Sequence, residues 1–364
     1  MLAISIVTLE VLSLAAVKLD IIAADSPNYR IPGLKPFWVD NNPHFGVWHE
    51  AGTEYVHTKS CFSVTYRTNA YGARDRARVR KGKLPRVVML GDSFTEGYGL
   101  ERLDRMSDRL ETATQAEHLN FGTSGYFGPT QSWLLYKHLA KGFDHNVVVF
   151  NLLPDNDFTD DDPAHVGAYK GQYRPYLVEK GGDYQLEYAN KDQRGVSARE
   201  IRREKRRFIG RLIRNFTYSA NAVNYLTALI RHRLARDGGA RVTAEATYAG
   251  YFDFTQAQAE RLVYVLETLI KEAGERTVIV TVIPRPADIK QSGDAPLSAL
   301  LDVLVADHPN LHIIDLREHF RNQDNWPSYY RECDGHWSPD GAEAAASVLL
   351  ADPVYRKALD LNKL

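Results

Sequence analysis

Residues 86–100 read RVVMLGDSFTEGYGL. Arg86 to Leu90 is a short apolar, β-branched run of the kind that lies buried on both faces in a parallel sheet. Gly91 and Asp92 break it, Ser93 follows at the turn, and Phe94-Thr-Glu-Gly97 begins the next element. The Ser93 hydroxyl is therefore expected at the carboxyl end of a strand, where open α/β sheets bind their ligands. A serine in that position can also turn its own backbone N–H toward a developing oxyanion.

Downstream, helical and strand patterns alternate. Asp104 to His118 carries charge and apolar residues at helical spacing, and a glycine-rich loop, Leu119 to Pro129, follows a short strand. Three glycines in seven residues there require positive φ or close backbone approach. Gln131 to Lys141 is predicted helical, Val147 to Phe150 a buried strand, and Asn151 to Asp157 its carboxyl-end loop. After an interruption the pattern resumes with a helix over Thr255–Glu272 and a buried strand over Thr277–Ile283 ended by Pro284-Arg-Pro286. A helix over Ala295–Asp307 and a last strand over His312–Leu316 complete it. Strands alternating with helices predict an α/β fold, a three-layer α/β/α parallel sheet.

The chain of 364 residues can bury a large core, and its net charge of −1 with 25% charged residues gives no field that would draw it to nucleic acid. Residues 2–17, LAISIVTLEVLSLAAV, form an apolar run interrupted by Glu10. Such a run suits a membrane anchor, an uncleaved signal or a packed amphipathic helix, and a spanning helix wants about 20 apolar residues. Compartment stays open, with an extracytoplasmic or membrane-anchored protein slightly favoured. Residues 26–46 read as a linker, and Val47 to Tyr71 as two or three antiparallel strands. Thr68 to Asp75 reads as a turn followed by a surface arginine. Cys61 and Cys333 are expected as free buried thiols; the alternative is one bridge, which would reach the residue beside Asp334. The cluster Asp155, Asp157, Asp160, Asp161 and Asp162 lacks the glycine and terminal glutamate of a calcium loop. From 158 to 252 the pattern departs from the α/β repeat and reads as an insertion. It holds a tyrosine-bearing hairpin or loop from Tyr169 to Tyr188, a basic helix from Ser197 to Arg214, and a further helix from Phe216 to Leu234.

Gly91-Asp92-Ser93-Phe94 resembles the first block of the SGNH hydrolase superfamily, the GDSL-type esterases and lipases. Three further blocks follow in the family's order. The loop around Gly125 resembles the second, and Asn156-Asp157 the third, with Asn151 as the alternative asparagine because the usual preceding glycine pair is missing. Asp334-Gly-His336-Trp337 resembles the last, with a shorter Asp-x-His spacing that is similar to SGNH-like sugar O-acetylation proteins. The Asn-x-x-Gly-x-Arg-Asp phrase ending at Asp75 is similar to one that precedes the serine block in bacterial relatives. The resemblance covers residues 86–345 and implies a flavodoxin-like SGNH core over 81–157 and 253–364. Residues 1–25, an extension over 26–80 and the insertion over 158–252 lie outside it.

What the resemblance implies is a serine esterase with no cofactor and no metal. Ser93 would be the nucleophile, His336 its base, and Asp334 the group that orients the imidazole. The N–H groups of Ser93 and Gly125 and the amide of Asn156 would form the oxyanion hole, each donor worth about 3 kcal/mol. The expected substrate is an acylated small molecule or polysaccharide, an O-acetyl carbohydrate first. The alternatives are an O-acetyltransferase using the same triad on an exported polysaccharide and a non-catalytic polysaccharide-binding or assembly protein.

Overall fold

The computed structural model describes every residue except 1, 23, 30, 32–36, 60, 83–84, 166–171, 192–207, 238–249 and 362–364. In chain order its strands are β1 (Val39–Asn42), β2 (Gly46–Trp48), β3 (Glu54–Lys59), β4 (Phe62–Arg67), β5 (Arg86–Gly91), β6 (Glu117–Gly122), β7 (Val147–Leu152), β8 (Arg174–Lys180), β9 (Asp183–Ala189), β10 (Thr277–Val282) and β11 (Leu311–Asp315). Five of them form one sheet in the order β11-β10-β7-β5-β6, and every pairing is parallel. Counting only these five, the order is 2-1-3-4-5, the doubly wound arrangement whose ligand crevice opens between the carboxyl ends of the first and third strands. Those strands are β5 and β7, so the residues after Gly91 and after Leu152 share the switch point.

Burial on both faces explains why these stretches are strands. Val87, Val88, Met89, Leu90, Val147, Val148 and Val149 are all fully buried, and each such side chain contributes about 1.5–3 kcal/mol by leaving water. Val87, Met89, Val147, Val149 and Ile279 share one core with the helices Met106–Thr114, Leu316–Arg321 and Pro339–Ala351. Strand alternation turns Val88, Leu90 and Val148 to the opposite face. There the helices Pro129–His138 and Gln256–Ala273 pack on the sheet and on each other. The three-layer α/β/α architecture follows.

Element boundaries depart from the sequence pattern where a single residue intervenes. The helix expected over 104–118 runs only Met106–Thr114, because Gln115 takes a left-handed φ of 59° and Glu117 already pairs as strand. The loop expected over 151–157 is instead the helix Pro154–Asp160. Pro154 is pre-set for its first turn, and Asp157 Oδ2 accepts the Leu153 N–H at 2.7 Å. The tyrosine-bearing segment is a hairpin, β8–β9, turned by Gly181 and Gly182 at φ of 65° and 87°. Residues 197–207 of the expected basic helix lie outside the described residues, and 208–216 are helical. Cys61 and Cys333 are both disulfide-bonded, which corrects the expectation of free thiols. Sequence spacing carries no information on which distant thiols a fold brings together.

Two compact units divide the chain. One comprises Met1–Pro36, Tyr55–Thr65 and Ser197–Tyr248; the other, Phe37–Glu54, Tyr66–Val196 and Ala249–Leu364, holds the five-stranded sheet. In the first unit, Leu2–Lys18 is a helix packed on the helix Tyr218–Asp237. Glu10, the interruption in the apolar run, accepts the N–H groups of Tyr218 at 2.6 Å and Ser219 at 3.0 Å, which caps that second helix. Among the described residues no helix is long and apolar enough to cross a membrane.

Candidate active site

The serine turn is built by its neighbours' backbone demands. Gly91 has φ of 143°, and a Cβ there would lie 2.3 Å from Thr95 Oγ1 and 2.8 Å from the Asn151 carbonyl. Asp92 then caps the helix Ser93–Glu96, its Oδ1 accepting the Phe94 N–H at 2.9 Å, and Gly97 ends the helix at φ of 79°. The far end of this turn is held by Arg74. The sequence suggested a surface arginine; the side chain is instead buried, donating to the carbonyls of Glu96 (2.9 Å), Gly97 (2.6 Å) and Leu100 (2.5 Å) with its guanidinium over the Tyr66 ring. Burial, with the charge of Arg105 adding, lowers the Arg74 pKa to about 10 despite the opposing influence of Tyr66. Three carbonyls bonded from two nitrogens, Nη1 and Nη2, suit the fixed fork of a guanidinium.

His336 Nε2 lies 2.8 Å from Ser93 Oγ. The histidine sits in a tight loop in which Gly335, at φ of 73°, donates its N–H to the Arg331 carbonyl at 2.8 Å, and Arg331 N–H bonds the His336 carbonyl at 2.7 Å. Arg331 Nη2 also donates to the Gly99 carbonyl at 2.9 Å, tying this loop to the serine turn. Asp334 Oδ1 accepts the His336 backbone N–H at 3.0 Å and stands 3.4 Å from Nδ1, without hydrogen-bond alignment to that ring nitrogen. The short Asp-x-His spacing explains this: a carboxylate two residues back closes an Asx turn on the backbone before it reaches the ring. Ring orientation has a second source. Tyr98 stacks on His336 with centroids 4.2 Å apart, Phe94 lies at 5.0 Å, and Trp38 stacks behind Tyr98 at 5.9 Å.

The expected oxyanion donors differ in what they do. The Ser93 and Gly125 N–H groups make no hydrogen bond among the described residues. Gly125 has φ of 104°, and a Cβ there would meet Val47 Cγ1 at 2.9 Å, so only glycine fits. Its loop is anchored through Ser124, whose N–H donates to Glu96 Oε2 at 2.8 Å and whose hydroxyl bonds the same oxygen. Glu96 is fully buried and also receives Trp38 Nε1 at 3.2 Å and contacts His49 Nε2 at 3.1 Å. Burial alone would raise its pKa; the bond and charge of His49, the charge of Arg74 and the Ser124 hydroxyl outweigh it and hold the carboxyl at about 2. Glu96 is thus an ionised hub between the serine helix and the Gly125 loop.

Of the two asparagines, Asn156 faces the serine turn. Its amide donates to Asp92 Oδ2 at 3.4 Å and to Asp160 Oδ2 at 3.1 Å. Asn151, the last residue but one of β7, donates to Thr95 Oγ1 at 2.9 Å, fixing the turn from below. The acidic run beyond Asn156 is committed to local bonds: Asp157 to Leu153, Asp160 to Asn156, and Asp161 to the Thr130 N–H and hydroxyl at 3.0 and 2.7 Å. Burial pushes Asp160 up to about 7 against the charge of Arg174, and Asp161 up to about 6 against its Thr130 bonds. Asp92 is raised by burial as well, in part offset by the Phe94 N–H and by the charge of His336.

Glu96, Tyr98 and Arg74 were not marked in the sequence as parts of the site. Glu96 and Tyr98 lie inside the deciding stretch, and a carboxylate in the FTEG turn was the available signal; its partners come from residues 38, 49 and 124 and are not local.

Neither a family model nor a curated protein matches the sequence. Among solved structures the chain is similar to a member of the lipolytic protein G-D-S-L family from Veillonella parvula, at 11% identity and a TM-score of 0.38 over 74% of this chain and 98% of that one. It is similar to the lipase/acylhydrolase from Enterococcus faecalis at 13% identity and a TM-score of 0.38, covering 76% and 96% of the two chains. A carbohydrate esterase family 2 enzyme with a carbohydrate-binding domain from Corynascus thermopiles matches at 13% identity and a TM-score of 0.40, over 78% and 69%.

Proposed function

We propose that this chain is a serine esterase of the SGNH type that removes O-acetyl groups from a carbohydrate through an acyl-serine intermediate. The observation that carries the reading is the 2.8 Å approach of His336 Nε2 to Ser93 Oγ at the switch point of the sheet. The imidazole takes the hydroxyl proton as Oγ attacks the ester carbonyl. The resulting imidazolium faces the Asp334 carboxylate on one edge and the Tyr98 ring on one face, and both favour the cation. The uncommitted N–H groups of Ser93 and Gly125, with the Asn156 amide, receive the oxyanion. His336 then returns the proton to the leaving alcohol, and water attacks the acyl-serine with His336 again as base.

A carbohydrate ring is the favoured alcohol, a choice supported by an aromatic residue, Tyr126, that is 40% exposed and next to Gly125. Transfer to a sugar hydroxyl instead of water is the second reading. It is favoured by the loose Asp334 to Nδ1 contact of 3.4 Å, which parallels the short Asp-x-His spacing. A non-catalytic polysaccharide-binding role is the third. Acetate release from acetylated xylan, against transfer to an added oligosaccharide, separates the first two; an inactive wild type in both assays supports the third. The helix Leu2–Lys18 exposes Ile4, Ile6, Val7, Val11 and Leu12, which supports peripheral attachment of its unit to a bilayer surface.

A further inference from the structure

Resting on the esterase reading, we propose that Arg285 is the binding residue for a carboxylate carried by the ester that Ser93 attacks. Arg285 leaves the carboxyl end of β10 between Pro284 and Pro286, two rings that restrict the backbone on either side of it. Its Nη2 lies 2.9 Å from the position a Cβ on Gly335 would occupy, so the guanidinium lies against the loop between Asp334 and His336. Its charge also reaches Asp92, the neighbour of Ser93.

Among the described residues the donors of this guanidinium make no hydrogen bond. Its ion pair to Asp155 Oδ2 is 3.5 Å long, with both side chains about a quarter exposed. Two other arginines around the sheet's carboxyl edge behave differently. Arg74 donates to the carbonyls of Glu96, Gly97 and Leu100, and Arg317 to those of Asp288, Gln291 and Gly293. Those two are backbone clamps. Arg285 instead presents a planar fork against the loop at Gly335, and such a fork matches a carboxylate in geometry and charge. Asp155 holds the fork in the absence of substrate and is exchanged for the substrate's carboxylate. That group has two possible sources: a uronic acid ring bearing the acetyl ester, or the far end of a dicarboxylic acyl chain.

The test uses two substrate pairs, each a charged ester and a neutral one. Acetylated methyl glucuronoside against acetylated methyl glucoside reports on the sugar; 4-nitrophenyl hydrogen succinate against 4-nitrophenyl acetate reports on the acyl chain. In at least one pair, Arg285→Ala lowers the charged-to-neutral ratio of kcat/KM about ten-fold or more, Arg285→Lys by less, and Asp155→Asn raises it. The pair that responds identifies the source. A ratio within two-fold of wild type in both pairs, for the alanine and lysine variants alike, overturns the proposal. So does an equal fall for charged and neutral esters, which marks Arg285 as a support of the His336 loop. Calorimetric titration of the Ser93→Ala protein keeps the question separate from turnover: the charged member binds more tightly than the neutral one, and adding Arg285→Ala removes the difference. If the wild type hydrolyses none of the four esters, the esterase reading fails, and the same titration still decides whether Arg285 holds a carboxylate.

Discussion

Replacing Glu96 by glutamine removes one charge from the hub that joins the serine helix to the Gly125 loop. Folding depresses this carboxyl from an ordinary 4.5 to about 2. The ionised group therefore stabilises the fold fully at pH above 4.5, and that contribution is lost as pH falls through about 2. A depression of this size is worth about 3 kcal/mol at pH 7 and about 1.4 kcal/mol at pH 3. Urea unfolding of wild type and Glu96→Gln at the two pH values reads the difference directly. Other carboxyls titrate in both proteins and cancel in the comparison. The variant should be less stable by about 3 kcal/mol at pH 7, with the gap at least halved at pH 3. A second readout follows from the Ser124 N–H bond of 2.8 Å. Loosening that loop displaces the Gly125 N–H, and a misplacement of about 1 Å costs about a hundred-fold in kcat. A stability gap below about 0.5 kcal/mol at pH 7, or one that does not change with pH, refutes the reasoning.

Four further outcomes are expected. Asn156→Ala should lower kcat about 10²- to 10³-fold on an aryl acetate while the protein still folds, as loss of an oxyanion donor requires; an unchanged kcat removes Asn156 from that role. Tyr98→Leu should lower kcat/KM about ten-fold, while Tyr98→Phe, which keeps the ring face over His336, restores it. Asp160 has its carboxyl raised to about 7, so wild-type stability falls as pH rises from 3.8 through about 7, and Asp160→Asn should gain relative to wild type between pH 5 and pH 8 in denaturant titrations. A gap that is equal at both pH values contradicts this. Flotation with anionic vesicles should carry the full chain but not a variant with Ile6, Val7 and Val11 changed to serine, and equal flotation of the two removes the helix Leu2–Lys18 from lipid contact.

The sheet was legible because its strands are buried on both faces. Val147-Val-Val-Phe150 and Thr277 to Val282 have no other environment to suit them, so composition alone announced a parallel core. Gly91 and Gly125 were legible as glycines that a turn requires, and both have positive φ with no room for a Cβ. The pairing of Ser93 with His336 joins residues at opposite ends of the core, and no local pattern encodes it; only the ordered blocks pointed there. What lay beyond the text was long-range and polar. Arg74 read as a surface residue because nothing nearby shows that three carbonyls of residues 96–100 converge on it. Asn156 read as part of a loop because a seven-residue helix opened by Pro154 lacks an apolar period long enough to recognise. The two cysteines were read as thiols for a similar reason: bonding depends on spatial approach, which spacing does not carry.

Whether an alcohol on this chain is made nucleophilic by an imidazole is open to direct measurement by mass. Incubation with a fluorophosphonate at neutral pH, followed by peptide mass analysis, should give one adduct on Ser93, absent in Ser93→Ala and at least a hundred-fold slower in His336→Ala. No adduct on Ser93, or labelling at the same rate without the imidazole, would contradict the account.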